Sequence, residues 1–373
     1  MPARCDTLLT NALVVTMDEA YAVHAGGAVA VTGCEIVAVG QLGGEYEAAE
    51  TIDCGGRVVM PGLVNAHTHA PMTLLRSLAD DLRLDVWLMG YMMPVEREFV
   101  RPDFVALGTS LACAEMIRSG TTCFADMYYF EEDVARAAAA AGLRAVCGQT
   151  VLKFPTPDAA SFEDGLAAAR EFIARWKDHP LIVPSVAPHA PYTCTAEIFR
   201  ACSELAAEFD VPVHTHLAET ALEVERARAE VGMPVVPWVK KQRLFDARVL
   251  AAHCVHVDEG EIRTLRDAGA GIAHNPTSNL KLGSGVAPVA RMIELGLPGV
   301  ERRAPNRGVR GAARIVDDLV GRADVGVEGV GRRAHVCGQA ARGPVVRGIV
   351  PAVQPPAGRI GLLELRIHPR PSS

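Results

Sequence analysis

The ten cysteines of this chain include no Cys-x-x-Cys pair, and they are scattered along 373 residues. In a chain of this size they read as reduced thiols in a reducing cytoplasm, not as a disulfide framework. A basic cluster is also missing. The net charge of −7 argues against a nucleic-acid footprint. No apolar run is long enough to span a bilayer. The start, Met1-Pro2-Ala3-Arg4-Cys5-Asp6, carries an acidic residue where a secretory leader would continue into its apolar region. The last 75 residues lack Lys, Met, Phe, Tyr, Trp and Thr altogether.

Apolar residues make up 49% of the chain and charged residues 22%, a balance that suits a soluble protein with a large core. The length allows one large barrel or two domains. Residues 5 to 60 read as short strands broken by Gly, Asn and Asp: Thr7-Leu8-Leu9, Ala12 to Thr16, Ala28 to Val31 and Glu35 to Val39. They predict a small β module over 1–60. From residue 58 the texture changes. Candidate strands are Val58 to Asn65, Thr121 to Asp126, Arg144 to Thr150, Leu181 to Ala187, Val213 to Leu217, Val249 to His253 and Gly271 to His274. Helical stretches such as Phe104 to Ser119, Asp133 to Ala141 and Phe162 to Lys177 fall between them. This alternation predicts an α/β fold with a parallel sheet, a (β/α)₈ barrel over 61–298 that still lacks its eighth strand.

Catalytic groups of such barrels sit at the C-terminal ends of strands, and the histidines fall there repeatedly. Pro61-Gly62 leads to His67-Thr68-His69, and residues i and i+2 of a strand share a face. Alone, a His-x-His is more often incidental than a ligand pair. Here His189 follows the fourth strand, and His214 and His216 lie in the fifth with Glu219 three residues on. His253 ends the sixth strand and His274 the seventh. Imidazole at five of the seven strand ends suits zinc or iron(II). A carboxylate beside the metal, and not bound to it, suits general acid–base work, which Glu219 could perform.

Pro61 to Met72, Thr121 to Tyr128, His189 to Cys194, His214 to Thr220, Ala251 to Val257 and His274 to Pro288 together resemble the amidohydrolase superfamily. Within it they are most similar to the 5-methylthioadenosine/S-adenosylhomocysteine deaminases, near the chlorohydrolase-like branch. The resemblance implies a TIM-type barrel with a small N-terminal β-sandwich module. It implies one zinc, or iron, held by His67, His69, His216 and a strand-eight aspartate, with His214 as an extra strand residue. Glu219 would move protons and His253 would orient the attacking water. Glu96, in Pro94-Val95-Glu96, resembles the ribose-hydroxyl acceptor; Trp87 and His189 resemble pocket residues. On their own residues, Trp87 could equally be plain core and Glu96 a solvated helix residue.

The implied reaction is hydrolytic deamination of a purine nucleoside with release of ammonia. The choice among adenosine, 5-methylthioadenosine and S-adenosylhomocysteine stays open, since Gln149 and Phe154-Pro155-Thr156-Pro157 offer no evident carboxylate clamp for homocysteine. Guanine, cytosine or s-triazine hydrolysis is the alternative within the superfamily, and an inactive truncated relative is the alternative outside it. The expected partner is the small-molecule substrate, with neither nucleic acid nor membrane and with a homo-oligomer allowed.

One departure matters. After Leu280-Lys281-Leu282-Gly283-Ser284-Gly285 and Arg291 to Leu297, the resemblance calls for a strand carrying Gly-Thr-Asp-Gly. The chain reads Pro298-Gly299-Val300-Glu301-Arg302 instead. Residues 299–373, with 13 Arg among Gly, Val, Ala and Pro, have neither helical nor strand period. Two readings stay open: a disordered basic tail, or a stretch translated in a different frame from the rest.

Overall fold

The computed structural model describes residues 1–18 and 20–297. The sequence expectations for 299–373 therefore lie outside the described residues. The chain divides into two compact units. Among the described residues, one contains Met1–Gly62 with Met116–Thr121, and the other contains Leu63–Glu115 and 122–297.

The first unit is a five-stranded sheet of β1 (Ala3–Val15), β2 (Val23–Thr32), β3 (Glu35–Gly40), β4 (Tyr46–Asp53) and β5 (Val58–Val59), in the order β3-β2-β1-β4 with β5 also on β1. The runs around Leu9 and Ala12 form one strand. The register shifts between them, where Asn11 takes a φ of 51°, a left-handed conformation that Asn tolerates better than most residues. Alternate residues Ala12 and Val14, with Val29 and Val31, bury one face.

The second unit holds β6 (Leu63–Thr68), β7 (Thr121–Tyr128), β8 (Arg144–Val151), β9 (Ile182–Pro188), β10 (Val213–Leu217), β11 (Val249–His253) and β12 (Gly271–Ala273). They form a seven-stranded sheet in the order β12-β11-β10-β9-β8-β7-β6. From β7 to β12 every neighbouring pair runs parallel. The run from Val58 to Asn65, expected as one strand, is two. Val58–Val59 pairs with β1, and a new strand begins at Leu63 after Pro61-Gly62. Proline has no N–H for a ladder, so the break falls there.

Helices separate the strands, as the alternation required. Phe162–Trp176 buries Ala169, Phe172, Ile173 and Trp176, a stripe at i, i+3, i+4 and i+7. Its first turn is capped by Ser161, which accepts from the Asp164 N–H. Thr195 and Thr220 cap the helices after β9 and β10 in the same way, and Asp258 with Glu261 forms a capping box after β11. These caps set where each helix leaves the strand-end loops, and those loops carry the polar residues of the site. No helix among the described residues is long and apolar enough to cross a membrane.

Candidate active site

A cavity of about 470 Å³ is lined by groups from the strand ends and the loops that follow them. All eight residues singled out from the sequence line it: His67, His69, His216, Glu219, His253, Glu96, His189 and Trp87. His67 and His69 sit at the end of β6 with ring centroids 4.9 Å apart and planes at 82°. Strand periodicity therefore puts both imidazoles on one side, as expected.

The rings are oriented from behind. His69 Nδ1 lies 2.6 Å from the Met127 carbonyl oxygen, and His216 Nδ1 lies 2.8 Å from the His189 carbonyl oxygen. A carbonyl only accepts, so each Nδ1 carries the ring proton. Burial pushes the pKa of His69 below the ordinary value, and burial with the neighbouring His189 and His69 rings pushes His216 well below it. Both rings are therefore neutral, and both Nε2 atoms are bare lone pairs. Those two atoms face each other at 3.3 Å. Two buried lone pairs at this distance repel unless a cation lies between them. Two nitrogens bound tetrahedrally at about 2.0–2.1 Å from zinc would be separated by about 3.4 Å. The donor set thus fits a metal. His67, His216 and His253 also offer ring nitrogens within 4.8 Å of one another.

His214, an extra strand residue by the sequence reading, is brought to the site's rear. Its Nε2 lies 2.9 Å from His67 Nδ1. His253 sits at the end of β11 with a φ of 74°, and Cys254 follows at 45°. A non-glycine residue held there carries a cost of about 1–3 kcal/mol. The surroundings fix it: the N–H groups of Cys254, Val255 and His256 donate to the carbonyls of Leu217 and Ala218. His253 Nδ1 is 2.7 Å from Asn279 Oδ1 and 3.7 Å from Glu219 Oε1. Burial brings its pKa down to about 4, so it is neutral at pH 7.

Glu219 is 2% exposed, and burial pushes its carboxyl up to about 7. The Ser284 hydroxyl, 3.5 Å away, opposes that shift weakly. Glu223 was not singled out from the sequence, yet it holds the Glu219 loop. Its carboxylate accepts from the Ala218 N–H at 3.0 Å and the Glu219 N–H at 2.8 Å. Glu223→Ala orphans two buried donors at about 1–3 kcal/mol each. We expect the variant to lose several kcal/mol in urea unfolding. A loss under about 1 kcal/mol would show that water replaces the carboxylate.

Asp126, at the end of β7, is a second residue missed from the sequence. Its Oδ1 accepts from Thr68 Oγ1 at 2.5 Å and from the Ala70 N–H at 2.6 Å, on either side of His69. Burial and the adjacent Asp126 hold the Glu131 carboxyl well above the usual range. The available signal was an acid at the C-terminal end of a barrel strand. Glu96 is buried rather than solvated, at 4% exposure, and accepts from the Tyr128 hydroxyl at 2.8 Å. Burial pushes it up to about 7. Trp87 is half-buried at the cavity wall. Gln149 is committed elsewhere: its amide donates to Asp158 at 2.8 Å and accepts from the Glu131 N–H.

Residues 58–299 match the amidohydrolase family. The 5-methylthioadenosine/S-adenosylhomocysteine deaminase of Syntrophobacter fumaroxidans is 46% identical over 298 residues, 79% of this chain and 68% of that protein. That of Nitratidesulfovibrio vulgaris is 46% identical over 300 residues, 80% of this chain and 68% of its own length. Among solved structures, an adenosine deaminase from Xanthomonas campestris with bound zinc has a TM-score of 0.77 and 37% identity, covering 86% of this chain and 76% of that one. The atrazine chlorohydrolase of Arthrobacter aurescens, complexed with zinc, has a TM-score of 0.72 at 23% identity over 78% of this chain and 70% of its own, a likeness of fold alone.

Proposed function

The chain belongs to the amidohydrolase family, and from that premise we propose that its site is built for hydrolytic deamination of an adenosine-type nucleoside with release of ammonia. The observation that carries this reading is Glu219: a buried carboxyl with a pKa of about 7, at the cavity, beside His253 and the imidazole cluster. Displacing an amine from a purine ring requires a proton on the adjacent ring nitrogen, and later one on the departing amine. A group that is about half protonated at neutral pH can deliver both.

His67, His69 and His216 would hold the metal through Nε2. Zinc bound there would supply Lewis acidity, bringing the pKa of a water to about 7. His253 donates Nδ1–H to Asn279, so its Nε2 is free to orient the attacking water. Glu96, with one oxygen taken by Tyr128, offers the other to a ribose hydroxyl. Trp87 presents a flat apolar wall, and His189 borders the cavity with its Nδ1 against the Thr193 hydroxyl at 2.8 Å. The two bacterial deaminases named above are deaminases of 5-methylthioadenosine and S-adenosylhomocysteine, and these with adenosine are the proposed substrates. No disulfide joins the nine described cysteines, which supports a reducing, cytoplasmic setting.

The domain reading is a β module over 1–60, a barrel over 61–298 and an unrelated segment beyond; the family match ends at residue 299. No Gly-Thr-Asp-Gly follows Leu297, so the motif from which the resemblance draws the carboxylate that would bind metal and take the water's proton is missing. Losing one general base costs about 10²–10⁴-fold in rate. We therefore expect this chain to turn over that much more slowly than a version whose eighth strand is restored from another reading frame near codon 299. The test is zinc-dependent ammonia release from adenosine, 5-methylthioadenosine and S-adenosylhomocysteine, with guanine and cytosine alongside. Equal rates for the two versions would sink the attenuation; preference for guanine or cytosine would sink the substrate class.

A further inference from the structure

We propose that His214 is a positioning residue that holds His67 in the one tautomer able to bind metal. The inference rests on the reading that His67 offers its Nε2 to that metal.

Three rings of the site are gripped from behind, two by one kind of partner and the third by another. His69 and His216 each meet a backbone carbonyl, which cannot donate, so their tautomer is dictated. His67 meets another imidazole: its Nδ1 lies 2.9 Å from His214 Nε2. Only one of these two nitrogens can carry the proton. If His214 Nε2 carries it, His67 accepts at Nδ1, its own proton moves to Nε2, and no lone pair faces the metal. If His67 Nδ1 carries it, His214 accepts, and His67 Nε2 is free to coordinate. Metal binding and His214 tautomer are therefore linked through one hydrogen bond.

The surroundings favour the second arrangement. His214 is 1% exposed, so water does not compete for either ring nitrogen. Its Nδ1 is buried and forms no hydrogen bond; the Asp126 backbone acts on the ring in the raising sense, as a carbonyl acceptor does, and with Nε2 engaged by His67 that acceptor is left for Nδ1. A proton on Nδ1 therefore has an acceptor, which leaves Nε2 to accept from His67. The same strand end works twice: the Asp126 backbone acts on His214, and the next residue, Met127, receives the His69 proton. The bland alternative is that His214 is a core histidine whose contact with His67 is incidental.

The two are separated on the full chain. In the zinc-loaded protein with ¹⁵N-labelled histidine, NMR should find His214 protonated at Nδ1 and bare at Nε2, and His67 protonated at Nδ1. His214→Leu removes the acceptor and should weaken zinc binding, read by chelator competition, by about 10–100-fold. His214→Gln places a carbonyl oxygen near the Nε2 position and should recover most of that loss. Thermal unfolding of the metal-free forms reports packing separately. A proton on His214 Nε2, or zinc binding by the Leu variant within about twofold of the unsubstituted chain, overturns the proposal. Should the Leu variant fail to fold, the tautomer in the unsubstituted chain decides alone. If the unsubstituted chain binds no zinc, the metal reading falls and this one with it, an outcome distinct from zinc that binds regardless of His214.

Discussion

Glu219→Gln should cut ammonia release by roughly 10²–10⁴-fold and leave zinc affinity unchanged. Glutamine is nearly isosteric and keeps the Ser284 contact, but it cannot give up a proton. The pH profile makes the expectation sharper. Burial holds the folded-state pKa of Glu219 at about 7, above the ordinary carboxyl value. The group acts first as an acid, so its protonated form is the working one. The rate should fall as pH rises through about 7, and the Gln variant should lack that limb. Single-turnover assays at high protein concentration can read the slow rate expected of this chain. A Gln variant within about tenfold of the unsubstituted rate would remove Glu219 from the chemistry.

His216→Ala should weaken zinc binding by about 10²-fold or more. Structural zinc sites bind with about 10–16 kcal/mol, so one of four ligands carries roughly 3 kcal/mol. At a zinc concentration about 100 times the unsubstituted Kd, bound metal raises stability by about 2.7 kcal/mol. The thermal midpoint of the unsubstituted chain should rise accordingly, and that of His216→Ala should barely move. The variant also removes one of the two lone pairs that oppose each other at 3.3 Å, so metal-free stability need not suffer in proportion. Zinc affinity retained to within about threefold would place the metal elsewhere.

The residues that sequence reasoning reached share one property: their signal is local. His67 and His69 differ by two positions in a strand, and that period alone puts them on one side. His216 and Glu219 are three apart around a strand end, and His253 closes a short apolar run. All are visible without knowing which strands are neighbours. Those it missed, and His214, which it placed only as an extra strand residue, have partners far along the chain. His214 meets His67 across 147 positions, and Asp126 meets Thr68 across 58. Asn279 orients His253 from 26 residues away. Glu223 lies close to Glu219, but an acid in the first turn of a helix looks like ordinary capping until the two N–H groups it serves are found buried. The strand from Val58 to Asn65 was misjoined for a related reason. Its apolar run is continuous in composition, and only pairing shows that Val58–Val59 and Leu63–Thr68 belong to different sheets.

Taken alone, the chain's order of residues determined the barrel-type alternation, the identity of the histidines and acid at the strand ends, and the lack of a Gly-Thr-Asp-Gly after Leu297. Each of these follows from chemistry and periodicity that a residue carries wherever it sits. Tertiary structure alone decided which ring nitrogens are bare, which carboxyl groups keep a proton near neutral pH, and which residues stand behind the ligands. Those properties depend on burial and on distances between strands brought together only by folding. The same imidazole is a donor, an acceptor or a ligand according to what lies about 3 Å from each of its nitrogens.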